Sequence, residues 1–182
     1  MAARKKLAEA RARECRLQAG ILRPPVNVNA IAKKLGVIVR YQPFPKSENV
    51  SGCLIWTSPA MIGVNSSHHR NRQRYTIAHE LGHFALKHRP RGRGTTVHLD
   101  PDLAPIFRDT RSERGTNTRE IEANAFAAEL LMPAELLHKA LRENGIHALD
   151  AADDPRIRTL ARRYQVSAQA MTIRLVNLGY LT

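Results

Sequence analysis

The spacing of apolar and polar residues along the chain predicts a mainly helical protein that also contains one small sheet. Residues 3–19 are rich in good helix formers and are followed by Gly20, so a first helix is expected there. Farther along, apolar residues recur at spacings of three and four, which is typical of helices that bury one face. The helix at residues 72–88 is predicted in this way. Further helices, most of them bounded by caps or by Gly and Pro stops, are predicted at residues 30–35, 118–131, 134–144, 157–164 and 168–177. Asn27 or Asn29 is expected to cap the first of them.

Short runs rich in β-branched residues predict three strands, at residues 37–41, 52–56 and 61–64. Because the segments between them are short and hold the prolines, an antiparallel meander is expected. Residues 89–118 contain several Gly and Pro breaks and are predicted to be a long loop with one helical turn near residues 104–107. The expected fold class is therefore α+β, with a small three-stranded antiparallel sheet packed beside a mainly helical body.

Charge is distributed unevenly along the 182 residues, whose formal net charge is +13. Residues 1–40 hold ten Lys or Arg against two acids, and residues 156–182 hold five Arg and no acid. Residues 120–155 reverse the sign, with eight acids against two bases. The N-terminal helix is expected to be solvated, and the basic ends to aid solubility or nonspecific attraction to acidic partners. DNA binding is possible but is not favoured.

The N-terminus and the cysteines favour a cytoplasmic protein. The N-terminus is basic and lacks the apolar stretch of a secretory signal, and no apolar run is long enough to cross a bilayer. Cys15 and Cys53 form neither a disulfide framework nor a thiolate metal site. A reducing cytoplasm without membrane attachment is therefore expected.

The predicted helix 72–88 carries the pattern H-E-x-x-H at His79, Glu80 and His83. Positions four apart lie on one face of a helix, about 5–6 Å from each other, so both imidazoles can direct a nitrogen at one ion. Glu80 lies one residue round from that face, where its carboxylate can act as a general base on water at the metal without being a ligand. The alternative is a pair of surface histidines. The apolar neighbours of the motif indicate a buried helix, and buried histidines need partners, so the metal site is favoured.

A catalytic metal of this kind needs a third protein ligand. A third histidine at the longer spacing H-E-x-x-H-x-x-G-x-x-H is absent, because the Gly and His positions are occupied by Leu86 and Arg89. On the helix predicted after the long loop, Glu120 and Asn124 share a face, so Glu120 can bind the ion while Asn124 hydrogen-bonds a ligand. Glu122 points about 200° away from Glu120 on a helix, so only one of them can face the metal. Glu120 is preferred and Glu122 is the alternative.

These residues resemble the ImmA/IrrE family of bacterial metallopeptidases, whose H-E-x-x-H sites are gluzincin-like. The likeness rests on H-E-L-G-H preceded by R-Y-T-I-A, and on E-x-E-A-N-A-F-A-A-E-L-L-M-P downstream. It extends over most of the chain, through L-A-R-R-Y-Q-V-S at residues 160–167 and R-L-V-N-L-G at residues 174–179. The resemblance implies a zincin-like helical body, with Glu80 as the catalytic base and with the zinc ligands His79, His83 and Glu120.

The same resemblance implies a function. It is that of a zinc-dependent endopeptidase that cuts a helix-turn-helix repressor of a phage, mobile element or stress regulon and so relieves repression. Histidine and carboxylate ligands accept several divalent metals, so Mn²⁺ is possible in place of Zn²⁺. The alternative function is a DNA-binding or repressor-binding regulator that keeps the metal for structure and cuts nothing.

The chain is expected to form one metallopeptidase domain over residues 1–182. Its parts would be a basic N-terminal helix at 1–23, a catalytic core at 24–145 and a C-terminal helical subdomain at 146–182. Residues 160–179 within the last part have the outline of a helix-turn-helix pair capped by Ser167. Because this pair offers few polar side chains for base edges, packing against the core is favoured over DNA readout.

Several other side chains could donate a hydrogen bond to a substrate oxyanion. They are Tyr75 and the histidines that flank the motif, namely His68, His69, His88 and His98. A lone histidine is more often a surface or packing residue, so a packing role is favoured for each of them.

Overall fold

The computed structural model describes residues 3–44, 50–89, 97–101, 118–149 and 154–181, and for residues 97–101 it describes the backbone alone. Seven helices and four strands lie within these residues. The helices are α1 (Lys5–Gln18), α2 (Val28–Lys34), α3 (Arg70–Ala85), α4 (Thr118–Leu131), α5 (Ala134–Glu143), α6 (Pro155–Tyr164) and α7 (Ala168–Asn177). The strands are β1 (Ile38–Gln42), β2 (Val50–Ile55), β3 (Met61–Asn65) and β4 (Val97–Pro101).

The helices follow the predicted pattern closely, and the α+β class is confirmed. The cap of α2 is Asn27 rather than Asn29, because the Asn27 side chain accepts a hydrogen bond from the Ala30 backbone N–H at 3.1 Å. Satisfying one of the first free N–H groups in this way starts α2 at Val28, before the predicted position.

The sheet is mixed, so the predicted antiparallel meander is wrong. Strand β3 pairs antiparallel with β2, but β1 pairs parallel with β3, giving the order β1-β3-β2-β4. Residues 43–49 separate β1 from β2, so no tight hairpin joins these two strands. Strand β2 is an inner strand and is buried along almost its whole length. Strand β1 is an edge strand, and its second half is exposed.

Strand β4 lies inside the segment that was predicted to be a loop. It pairs antiparallel with β2 and adds a fourth strand beyond it. The prediction of a long loop is therefore wrong for residues 97–101, where V-H-L-D has the alternation of a strand. Residues 90–96 and 102–117, with the predicted helical turn at 104–107, lie outside the described residues.

Two glycines allow α3 to pack closely against both the sheet and α4. A β-carbon on Gly52 of β2 would lie 2.3 Å from the Thr76 side chain, so only glycine allows α3 to come this close to the sheet. On the opposite side, a β-carbon on Gly82 would lie 3.1 Å from the Ala123 α-carbon of α4. The core fills the space between these layers, and its largest members include Leu54, Ile62, Ile77, Leu81, Phe126 and Leu130.

Helix α1 is packed onto the protein, so the expectation of a solvated N-terminal helix is wrong. Ala8, Ala12 and Cys15 are buried, and the helix lies against α4. Arg16, with only 1% of its side chain exposed, pairs with Glu135 of α5. The basic helix is thus neutralised in part by the acidic segment, a relationship that charge counting along the chain does not reveal.

Helices α6 and α7 form the expected helix-turn-helix-like pair. Ser167 caps α7 by accepting a hydrogen bond from the Ala170 backbone N–H at 3.1 Å. Arg174, one of the few polar groups that α7 could offer to DNA, points inward, where it pairs with Glu129 and donates to the Met132 carbonyl at 3.1 Å.

Among the described residues, no helix is both long and apolar enough to cross a membrane. The division of the chain at residues 23 and 145 stays a prediction.

Candidate metal centre

Two neighbouring helices direct three metal-ligand side chains at one point. His79 and His83 lie one turn apart on α3, each with 1% of its side chain exposed, and Glu120 lies in the first turn of α4. The two Nε2 atoms are 3.1 Å apart. Glu120 Oε2 lies 3.2 Å from His79 Nε2 and 3.4 Å from His83 Nε2. The structure therefore brings the three predicted ligands together, and it places Glu120 rather than Glu122 beside the histidines.

The spacing of these three atoms fits a tetrahedral ion. Metal-to-ligand bonds of about 2.0–2.1 Å at tetrahedral angles put neighbouring ligand atoms about 3.3–3.4 Å apart. The three separations of 3.1, 3.2 and 3.4 Å lie at or close to that value. Two imidazole nitrogens and one carboxylate oxygen are a donor set that suits Zn²⁺ and several other divalent metals. The residues present therefore fit a divalent cation.

Asn124 holds the ring of His79. Its Oδ1 lies 2.8 Å from His79 Nδ1, and the Tyr75 hydroxyl donates to the same oxygen at 3.3 Å. Because an amide oxygen only accepts, the proton of His79 lies on Nδ1, and the lone pair of Nε2 faces the ion position. Tyr75 also stacks against the His79 ring, with 6.5 Å between ring centroids. Both side chains thus fix one tautomer and one ring orientation.

The end of α3 brings His88 against His83. The His88 backbone N–H bonds to the His83 carbonyl at 2.9 Å, and the Lys87 N–H bonds to the Phe84 carbonyl at 3.1 Å. These two bonds, with Lys87 in the left-handed region at φ 57°, make a Schellman motif. The motif turns the chain back over the last helical turn, so that His88 Nδ1 lies 3.3 Å from His83 Nδ1.

Glu122 lies on the far side of His88. Its Oε2 is 3.0 Å from His88 Nε2, and Arg4, just before α1, contacts the same carboxylate. Arg4 donates from its backbone N–H at 2.9 Å and from Nε and Nη2 at 3.1 Å each. The hydrogen bond from the Arg4 side chain is the main cause that lowers the pKa of Glu122 to about 2. Burial lowers the pKa of His88, while the hydrogen bond with Glu122 acts in the opposite direction.

The predicted catalytic base, Glu80, is fully buried on the same turn of α3 as His79. It lies toward the sheet, close enough to Cys53 of β2 for its charge to act on the thiol. Burial above all raises the pKa of Cys53, and the charge of Glu80 adds to that effect. This position, between the motif helix and the sheet, shields the carboxylate from bulk water.

The remaining candidates lie in different places. His69 caps α3, its Nδ1 accepting a hydrogen bond from the Asn71 backbone N–H at 3.2 Å. His68, the residue before this cap, has its Nε2 3.5 Å from the Asn65 amide nitrogen. The side chain of His98 lies outside the described part of the structure.

Sequence reasoning missed the contact of His88 with His83 and the contacts of Glu122 with His88 and Arg4. A histidine five residues after His83, just beyond the helix end, was the one available signal. Nothing in the sequence points to Arg4, which is distant along the chain.

Comparison with protein families places both helices of the candidate site within a matched range. The family of IrrE N-terminal-like domains matches residues 32–176, a range that contains α3 and α4 but not α1. The match therefore covers the three clustered side chains and Glu80, while Arg4 lies outside it.

One curated relative is similar over part of its length. The radiation response metalloprotease IrrE of Deinococcus deserti is 33% identical over 108 residues, which are 59% of this chain. The aligned region is 33% of the relative, so the chain spans about a third of that protein's length.

Proposed function

The chain belongs to the family of IrrE N-terminal-like domains, a metallopeptidase family, and on that premise we propose that it is a zinc-dependent endopeptidase. The observation that carries the proposal is the clustering of His79, His83 and Glu120, whose candidate ligand atoms, from two helices, lie within 4.8 Å of one another. Glu80 follows directly after the first of these ligands. A metal kept only for structure would need no carboxylate directly after a ligand in the sequence.

Each residue has a defined task in the proposed reaction. His79, His83 and Glu120 would hold the ion through Nε2, Nε2 and Oε2. When bound, the zinc ion supplies Lewis acidity that polarises the scissile carbonyl group. Glu80 takes a proton from the attacking water and later delivers it to the amine of the leaving peptide. Asn124 keeps the His79 ring in the orientation that binding requires.

Zinc is the proposed metal because of the donor set. Two imidazoles and one carboxylate leave one open position in a tetrahedral site, the arrangement of catalytic zinc centres. Manganese prefers more oxygen ligands and a higher coordination number, so it is the second choice.

The proposed location is a reducing cytoplasm. Cys15 and Cys53 are both buried and unpaired, which agrees with this proposal.

The proposed substrate is a helix-turn-helix repressor of a phage, mobile element or stress regulon. The support is the family membership together with the relative named as a radiation response metalloprotease, a stress role stated for that protein. Cleavage of such a repressor would relieve transcriptional repression. The DNA-binding alternative has less support, because Arg4, Arg16 and Arg174 are engaged in ion pairs within the protein.

The proposal is tested by incubating the purified chain, loaded with Zn²⁺, with the product of the neighbouring repressor gene. We expect a discrete cut in the repressor, detected by electrophoresis and mass spectrometry. Chelation and Glu80→Gln should each abolish the cut, while Glu80→Gln stays folded and binds the metal. Glu143→Gln, which changes an exposed glutamate of α5, serves as the matched control and should cut normally.

The other outcomes separate the alternatives. Intact repressor in a stable complex with both the wild type and Glu80→Gln would favour a repressor-binding regulator. Sequence-specific DNA binding that survives Glu80→Gln, with no fragments formed, would favour a DNA-binding regulator. Intact repressor with neither binding mode would contradict this substrate.

A further inference from the structure

A continuous line of polar contacts connects the N-terminal segment to the metal position. It runs from Arg4 to Glu122, from Glu122 to His88 and from His88 to His83. Apart from Arg4, whose side chain is largely exposed, these groups are buried, with 5% or less of each side chain accessible. Because a buried polar group is costly unless it is paired, this arrangement needs a reason beyond packing.

The order of donors and acceptors along this line follows from the chemistry of each group. The Glu122 carboxylate can only accept, so His88 Nε2 carries the proton of the 3.0 Å contact. In the tautomer with its proton on Nε2, His88 accepts at Nδ1, and the proton of the 3.3 Å contact belongs to His83 Nδ1. With its proton on Nδ1, His83 turns the lone pair of Nε2 to the position shared with His79 and Glu120. Every link thus favours the tautomer of His83 that binds a metal.

Arg4 keeps the acidic end of the line in place. Three of its N–H groups reach Glu122, and two of them form a fork on both carboxylate oxygens. This contact fixes the orientation of the Glu122 carboxylate, whose Oε2 lies against His88 Nε2.

We propose that Arg4, Glu122 and His88 are positioning residues that orient His83 for metal binding, and that the segment just before α1 is thereby part of the metal centre. This inference rests on the proposed function, since it requires His83 to be a ligand. It gives a role to a segment that lies outside residues 32–176, the range shared with the family. It also parallels the contact of Asn124 with His79, so that each histidine ligand has its own support.

The test measures the affinity of the full chain for Zn²⁺ by competition with a chromophoric chelator. Six variants are compared with the wild type, and circular dichroism confirms that each one is folded. His88→Leu removes both contacts, whereas His88→Gln keeps one acceptor for His83 and one donor for Glu122. Glu122→Gln allows an amide N–H to donate to His88, which reverses the proton order. Glu129→Gln is the matched control, because Glu129 is a buried, ion-paired acid farther along α4 that touches none of these residues.

We expect His88→Leu and Glu122→Gln to weaken Zn²⁺ binding about 10- to 100-fold, the usual effect of losing a partner of a histidine ligand. His88→Gln should lose about threefold or less, and Glu129→Gln should bind like the wild type. Arg4→Met should weaken binding less than Glu122→Gln does, but more than Arg11→Met, which removes an exposed ion pair of α1. If His88→Leu does not fold, the comparison of Glu122→Gln with His88→Gln decides.

Three results would overturn the inference. Wild-type affinity in either His88→Leu or Glu122→Gln would show that the line has no effect on the ion. Equal losses in His88→Gln and His88→Leu would show that ring packing matters and the hydrogen bonds do not. An equal loss in Glu129→Gln would show a general effect on α4. A wild-type chain that binds no Zn²⁺ would instead contradict the metallopeptidase proposal, and this inference with it.

Discussion

The α-carbon and the carbonyl oxygen of Ala123 each lie 3.1 Å from the position that a β-carbon on Gly82 would occupy. Gly82 stands directly before His83 on α3, and Ala123 lies one turn after Glu120 on α4. The two helices therefore approach each other closely beside the proposed metal position. Because both contacts are to backbone atoms, neither can be relieved by a side-chain rotation.

Gly82→Ala is expected to destabilise the protein by about 1–2 kcal/mol. Overpacking at a backbone contact costs about 1–3 kcal/mol, and the better helix propensity of alanine returns only about 0.5–1 kcal/mol of it. The added methyl group should also push α4 outward and move Glu120 away from His83, so Zn²⁺ affinity should fall. Urea unfolding and metal titration measure the two effects. A variant as stable as the wild type, with unchanged affinity, would show that the helices can separate without cost.

Lys87 gives a second prediction, because it adopts φ 57° and brings His88 back onto His83. Lys87→Gly should raise the free energy of unfolding by up to about 1 kcal/mol, since glycine enters the left-handed region without strain. Lys87→Val should lower both stability and Zn²⁺ affinity, because β-branched residues avoid this region. Gln165 ends α6 at φ 54°, outside the metal cluster. Gln165→Val should therefore destabilise the protein but leave metal affinity unchanged, and a loss of affinity there would count against the assigned role of Lys87.

The elements that were predicted well are those whose pattern is local. Helix periodicity and caps such as Ser167 involve neighbours within one or two turns, so the sequence carries them directly. The H-E-x-x-H spacing is local in the same sense, which is why His79 and His83 could be paired. The choice of Glu120 over Glu122 followed from helix geometry together with the position of Asn124.

The elements that were predicted wrongly depend on partners distant along the chain. Strand β1 pairs with β3 and not with β2, the next strand along the chain, and strand propensity does not tell which partner a strand takes. Arg16 looked like part of a solvated basic helix because its partner, Glu135, lies on α5. The contact between Arg4 and Glu122 was not predicted, because these two residues are also distant along the chain.

Arg16→Ala tests whether α1 is an integral part of the fold. The Arg16 side chain is 1% exposed and donates to the Ile21 carbonyl at 2.6 Å as well as to Glu135. Its removal should cost about 2–3 kcal/mol, because charged hydrogen bonds and the packing of the aliphatic stem are both lost. Arg11→Ala, which removes an exposed pair with Glu14 on the same helix, should change stability by no more than about 0.5 kcal/mol. Equal effects of the two changes in denaturant unfolding would mean that α1 contributes little.

Asp154 at the start of α6 predicts a pH-dependent contribution to stability. Hydrogen bonds from the Arg156 side chain, and then from its backbone N–H, lower the pKa of this carboxyl below its ordinary value of 3.8. A depressed pKa stabilises the fold above pH 3.8, and the stabilisation is lost as the pH falls through the folded-state pKa. Asp154→Asn keeps a capping oxygen but cannot titrate. The stability gap between wild type and variant should therefore be largest near pH 6 and shrink below pH 4 in urea titrations. A gap that stays constant with pH would rule out ionisation as its cause.

Addition of Zn²⁺ should separate the ligands from the catalytic base without any need for a substrate. An ion that binds only the folded state stabilises it, by about 2.7 kcal/mol when the free ion is at 100 times its Kd. Thermal unfolding of the wild type and of Glu80→Gln should therefore shift upward by similar amounts, because Glu80 is not among the three clustered donors. Glu120→Gln and His79→Ala should lose most of the shift, and a chelator should abolish it in every variant. A shift retained in Glu120→Gln but lost in Glu80→Gln would exchange the roles of the two glutamates and would place the ion on the sheet side of α3, near Cys53.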